Sequence, residues 1–215
     1  MIGPEQVGER LAAVQDRLHA AGGDDVRVVA VTKAFGIDAV DAAVACGIRD
    51  IGESYAQEAV AKLGGRDVAA TVHFIGGLQR NKVRKLAGIV DVWQSVDRPE
   101  LADEIALRAP GAPVMLQVDI SGEETKGGCS PDDVAALLEH ARAAGLDVVG
   151  LMGIAPLGDP GDSRPGFRQL RSLVDRFGLR ECSMGMTGDL EVAVEEGSTM
   201  IRVGTALFGP RPPRH

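Results

Sequence analysis

Aromatic side chains are scarce in this 215-residue sequence: one tryptophan, one tyrosine and five phenylalanines, 3% in all. A chain so poor in flat rings lacks the stacking platforms that hold single-stranded nucleic acid. Basic residues are also in deficit, with 23 Lys and Arg against 31 Asp and Glu, a formal net charge of −8. That balance opposes broad attachment to nucleic acid or to an anionic membrane, while leaving room for a small local anion site. No apolar run approaches the ~18 residues that a membrane span requires. The polar first ten residues carry no secretory signal. Cysteine is limited to Cys46, Cys129 and Cys182, an odd number placed far apart, with no C-x-x-C pair. His19, His73, His140 and His215 are equally scattered, so no metal site is expected. A reducing cytoplasm is the expected compartment.

What is present is the balance of a folded core, 45% hydrophobic and 25% charged, in a length that fits one domain over residues 1–215. Residues 4–21 place Val7, Leu11, Val14 and Leu18 at helical spacing, and Gly22-Gly23 stops them. Short valine-rich runs then alternate with helical stretches. Strands are predicted at 27–33, 50–53, 72–76, 92–96, 114–120, 148–154, 181–184 and 200–203. Helices are predicted at 37–46, 56–63, 81–87, 100–108, 132–143, 167–177 and 189–195. Strands joined by helical crossovers run parallel, and eight such units predict a closed (β/α)8 barrel, with an open doubly wound sheet as the alternative. Almost nothing follows the last strand, so the leading helix is expected to take the place of an eighth external helix. Residues 210–215 read as a frayed tail.

In such a barrel the binding site lies at the C-terminal ends of the strands. The first strand runs out as Val31-Thr32-Lys33, setting an amine where the strand meets its loop. A lysine in a partly dry pocket loses preference for its charged form, and a neutral amine attacks carbonyls. Taken alone, a lysine at a strand end is commonly a snorkelling surface residue. The seventh strand continues through Gly185, Thr187 and Gly188, and the eighth ends as Arg202-Val203-Gly204-Thr205. Glycines there remove bulk while hydroxyls and backbone N–H groups are left to meet phosphate oxygens, at the habitual phosphate site of this barrel.

At these residues the sequence resembles the pyridoxal phosphate homeostasis protein family, related to the barrel domain of alanine racemase, from about residue 7 to residue 211. The motifs are Val31-Thr32-Lys33; Gly52-Glu53-Ser54-Tyr55; His73 to Gln79 with Asn81-Lys82; Leu151-Met152-Gly153-Ile154; Ser183-Met184-Gly185-Met186; and Gly197 through Arg202-Val203-Gly204-Thr205 to Gly209. The resemblance implies that Lys33 is the internal aldimine lysine for pyridoxal 5′-phosphate (PLP). It implies that Thr187, Gly204 and Thr205 hold the phosphate and that Arg202 faces the pyridine nitrogen, with Ser54 and Met184 completing the contacts. Ser54 and Asp119 both stand where the family usually has asparagine, which shortens the first contact and changes charge near the second.

Arg202 bears on whether the protein catalyses. A guanidinium stays protonated and can only donate to an unprotonated ring nitrogen, which makes the ring a poor electron sink. The sequence also ends directly after its barrel, and Tyr55 is its one tyrosine. A PLP carrier acting in PLP homeostasis is therefore expected in preference to an enzyme, with PLP-dependent apoenzymes as candidate recipients and a monomer as the working unit. The alternatives are a PLP-dependent amino-acid racemase and a Schiff-base aldolase. Lys126 is a candidate for a second aldimine site, and Gln79, Asn81, Lys82 and Arg84 for an anion or partner. His73 reads as a satisfied structural histidine. Asp132 and Asp133 read as the first turn of a helix after Ser130 and Pro131, where carboxylates suit the dipole.

Overall fold

The structure is a computed structural model that describes residues 2–123, 127–156 and 158–210. Helix α1 (Pro4–Ala20) leads into eight strands: β1 (Arg27–Val31), β2 (Asp50–Glu53), β3 (Thr71–Phe74), β4 (Val92–Val96), β5 (Pro113–Val118), β6 (Asp147–Gly153), β7 (Glu181–Ser183) and β8 (Met200–Val203). All pair in parallel and in chain order, and β8 closes on β1, so the (β/α)8 barrel is the observed architecture. The crossovers are α2 (Ile37–Ala45), α3 (Ala56–Leu63), α4 (Arg80–Leu86), α5 (Pro99–Arg108), α6 (Val134–Ala143), α7 (Arg164–Arg176) and α8 (Leu190–Glu195).

The eighth external position is filled from the front of the chain. Val7, Leu11, Val14 and Leu18 lie on one buried face of α1 and join a core with Leu190, Val194, Leu207 and Phe208. A short helix, α9 (Thr205–Phe208), follows β8 where the sequence suggested almost nothing, and α1 packs on it. Its four residues are too few to show helical periodicity. Other boundaries also moved. Pro131–Asp133 form a 3₁₀ turn in which the Ser130 hydroxyl accepts from Asp133 N–H, so the helix starts only at Val134. Helix α7 starts at Arg164, three residues before the expected 167, because Pro165 is tolerated in a first turn.

Side chains alternate between the two faces of each strand. Val29, Met115, Val149, Met152 and Met200, from β1, β5, β6 and β8, meet in a small apolar cluster inside the barrel. Val149 is the extra residue of a bulge where β6 pairs with β5, which brings both Val149 and Met152 inward. The rest of the interior is polar, with Asp50, His73, Gln94, Ser183 and Arg202 all buried. Among the described residues no helix is long and apolar enough to cross a membrane.

Candidate cofactor site

The two-residue period that fills the interior also builds the mouth. Continued past the strands, it turns Val31 and Lys33, Ser54, Ile75, Ile154, Arg202 and Gly204 toward the barrel axis at the C-terminal end. All of them line one cavity of about 200 Å³, together with Thr187, Gly188 and Thr205. Six of the seven expected contact residues are thus brought together. Met184 is the exception. It has the parity of Cys182, packs beside that residue and Ala193 outside the barrel, and leaves the cavity wall to Met186.

Arg202 forms the floor. Its Nη1 donates to the Ser183 carbonyl and to Ser183 Oγ, both at 2.8 Å, and Nη2 donates to the Gly153 carbonyl at 2.8 Å. Burial lowers its pKa to about 10, so it stays protonated at neutral pH. Behind it a chain of donors crosses the barrel. Ser183 Oγ donates to Gln94 Oε1 at 2.7 Å, and Gln94 Nε2 donates to His73 Nδ1 at 2.8 Å. That assignment leaves His73 Nε2–H to donate to Asp50 Oδ1 at 2.8 Å. His73 is therefore satisfied on both nitrogens and sits below the cavity, which agrees with its structural reading.

The phosphate-suited side of the cavity is held by backbone ties. Thr187 Oγ1 accepts from Ala206 N–H at 3.3 Å, joining the turn after β7 to α9. The Thr187 carbonyl accepts from Arg17 of α1 at 3.0 Å, and Asp189 Oδ1 closes the turn on Met186 N–H. A Cβ on Gly204 would lie 3.3 Å from the Val31 carbonyl, whereas one on Gly188 would meet nothing within 4 Å. The cavity therefore has room for an anion beside Gly188, and Gly204 sets how closely β8 approaches β1. An amine, a guanidinium, three hydroxyls and an apolar wall of Ile75, Ile154 and Met186 are groups that fit a flat, phosphorylated aldehyde.

Other candidates lie elsewhere. Tyr55 sits at the N-cap of α3, 39% exposed, and does not line the cavity. Asp119 caps the turn after β5 through Ser121 and Gly122 N–H groups. Gln79, Asn81, Lys82 and Arg84 start and build α4, away from the cavity lining. Lys126 lies outside the described residues. Burial pushes the Cys129 and Cys182 thiols up to about 11 and about 12, so neither is a thiolate at neutral pH. A larger cavity of about 620 Å³ opens at the opposite end, beside α1 and the starts of β1 and β2. Arg27 there pairs with Asp50 and His19 with Asp24, and its lining holds no phosphate-suited turn.

Comparison with known proteins gives matches over nearly the whole chain. Residues 4–212 match the family described as alanine racemase, N-terminal domain. The pyridoxal phosphate homeostasis protein of Aquifex aeolicus is 39% identical over 222 residues, covering 94% of this chain and 97% of its own. That of Pseudomonas aeruginosa is 40% identical over 218 residues, covering 96% and 95%. The structure of PipY from Synechococcus elongatus PCC7942 with PLP bound superposes with a TM-score of 0.81 at 35% identity, covering 94% of this chain and all of that one.

Proposed function

Because this chain belongs to the pyridoxal phosphate homeostasis proteins, within the alanine racemase N-terminal domain family, we propose that it binds PLP at the C-terminal mouth of its barrel. Lys33 holds the cofactor covalently, and the protein serves PLP supply without turnover of amino acids. The observation that carries this reading is the meeting of Lys33, Arg202, Thr187, Gly204 and Thr205 in one cavity of about 200 Å³.

When bound, the cofactor supplies an aldehyde that condenses with amines and a ring that withdraws electrons. Each residue has a task suited to its chemistry. Thr187 and Thr205 offer hydroxyl donors to the phosphate, and Gly188 and Gly204 keep side-chain bulk away from it. Arg202, locked in place by Ser183 and Gly153, donates to the ring nitrogen. Ser54 offers a hydroxyl at the mouth, while Ile75, Ile154 and Met186 exclude water from the ring.

The working unit in this reading is a monomer, to be checked by sedimentation. PLP-dependent apoenzymes are the recipients, and three unpaired cysteines favour the cytoplasm as compartment. The test is direct. Purified protein incubated with PLP should turn yellow, and borohydride should bleach it and leave a reduced adduct that peptide mass analysis maps to Lys33. Lys33→Ala should fold, stay colourless and retain only weak, reversible binding. An adduct mapped to another lysine in the wild type would refute the assignment.

A further inference from the structure

Just outside the barrel, under the turn that carries Lys33, lies a buried ionic cluster that the reading above does not use. Lys62 of α3 is 5% exposed at its side chain and Glu53 of β2 is 0% exposed. The Lys62 ammonium meets three acceptors, Glu53 Oε1 at 2.7 Å, the Thr32 carbonyl at 2.8 Å and Glu58 Oε1 at 3.1 Å. An ammonium has three N–H bonds, so all of them are used. Glu53 Oε1 also accepts the Thr32 hydroxyl at 2.6 Å, and Glu58 Oε1 accepts the Ala34 N–H at 2.6 Å.

These bonds grip both neighbours of Lys33. Thr32 is held by its carbonyl and its hydroxyl, and Ala34 by its amide. Ala34 has φ +67°, the one described non-glycine residue at positive φ, a conformation that a Cβ disfavours. The chain therefore keeps an unfavourable turn immediately after Lys33, and Glu58 holds that turn. The cluster is poorly explained as a source of stability. Burying two charges offsets most of what their attraction returns. Glu53 Oε2 is buried with no hydrogen-bond partner, and burial raises the Glu53 carboxyl above its ordinary value despite Lys62. What the cluster does deliver is a fixed backbone on either side of one side chain.

We propose that Lys62, with Glu53 and Glu58, is the positioning device for Lys33: it fixes residues 32–34 so that the Lys33 amine meets the aldehyde carbon, and it governs the covalent step, not the affinity for ring and phosphate. The inference rests on the PLP reading. In that step the neutral Lys33 amine forms a C=N bond to the aldehyde carbon, and the aldehyde oxygen departs with the amine's two protons as water. Thr187 of the turn after β7, Arg202 of β8, and Gly204 and Thr205 at the start of α9 take no part in the cluster's hydrogen bonds, so the two halves of binding are separable.

The experiment compares two probes on wild type, Lys62→Met, Glu58→Ala and a core control, Leu138→Ala on the distant α6. PLP can condense with Lys33, whereas pyridoxamine 5′-phosphate has the same ring and phosphate and no aldehyde. Covalent capture is read by borohydride trapping and peptide mass, and affinity by equilibrium titration. Lys62→Met should trap at Lys33 at least about tenfold more slowly and bind PLP about tenfold more weakly, with pyridoxamine 5′-phosphate affinity unchanged within about twofold. Glu58→Ala, whose side chain is 28% exposed in the wild type, should shift in the same direction, and it carries the test if Lys62→Met does not fold. Equal weakening of both probes, or equal slowing in Leu138→Ala, would reduce the cluster to a structural role and overturn the proposal, as would unaltered trapping. Failure of the wild type to trap at Lys33 would instead defeat the PLP reading itself.

Discussion

Arg202 commits three N–H bonds to Ser183 and Gly153, which fixes the plane of its guanidinium at the cavity floor. A guanidinium has five N–H bonds, so donors remain for a ligand. Across the cavity, Thr205 and Gly204 can be tested one atom group at a time. Losing a hydrogen bond to a charged group costs about 1.5–3 kcal/mol, so Thr205→Ala should weaken PLP by roughly tenfold to a hundredfold in equilibrium titration. An unaltered Kd would remove Thr205 from the phosphate site. Gly204→Val should be worse, since even a Cβ there lies 3.3 Å from the Val31 carbonyl and the added methyl groups would enter the cavity. Residue by residue, the site's legibility followed strand parity. Lys33, Ser54, Arg202 and Gly204 stand out because they continue an inward-facing period past the strand ends. Met184 was misplaced because it keeps the outward parity of Cys182, and the turn at Gly185, with φ +92°, gives the cavity wall to Met186 instead. Gln94 and Ser183 gave no sign of holding Arg202, because a partner 89 residues away leaves no local pattern.

Among the elements, α1 does the most to close the molecule, and its ties reach the site. Arg17 bonds Glu191 of α8 at 2.6 Å as well as the Thr187 carbonyl, so a helix from the start of the chain braces the turn after β7. The sequence exposed α1 through its four apolar residues and hid α9, which is one turn long. It also hid the role of α3. Glu58 and Lys62 stand four apart, which reads as a solvated ion pair, and only the barrel wall behind them makes it a buried one. Carboxylates between elements set the pH dependence of stability. Arg168 and Arg164 of α7 hold the Glu196 carboxyl below its ordinary value of 4.5, and Arg17 does the same for Glu191. A depressed carboxyl stabilises the fold above the ordinary value and loses that contribution as pH falls through the folded value. Glu53 acts oppositely. Its raised folded value makes the native state bind a proton more readily, so the penalty it imposes above that value is relieved as pH falls through it and is gone below the ordinary 4.5. Urea unfolding across pH should therefore show greatest stability on the mildly acidic side, with a decline below the ordinary carboxylate value. Glu196→Gln should flatten the decline, and Glu53→Gln should remove the rise. A stability that climbs steadily from acid to neutral pH in the wild type would contradict the assignment of Glu53.

At the scale of the whole molecule, the question is whether a barrel that binds PLP must also turn amino acids over. An amino acid's free amine can replace Lys33 at the aldehyde carbon, since that exchange requires only access and a lone pair. Racemisation requires more: a ring able to take up the electrons of the Cα–H bond, and acid–base groups on both faces of the substrate. Arg202 would meet the first requirement poorly, because a pKa of about 10 keeps it a donor, and a ring nitrogen set against it in the proposed pose would stay unprotonated. The second is unmet among the described residues of the cavity wall, where Lys33 and Arg202 are the only ionisable side chains. Tyr55 lies outside that wall, His73 has both nitrogens occupied beneath it, and burial keeps Cys129 and Cys182 in the thiol form. One lysine can lift a proton from one face, and among the described residues of the cavity wall no second ionisable group but Arg202 is there to return it. PLP-loaded protein incubated in deuterated water with L- and D-amino acids should therefore exchange or release PLP while the α-position stays protiated. Deuterium entering that position in proportion to loaded protein, and vanishing in Lys33→Ala, would establish a racemase-like enzyme in place of a carrier.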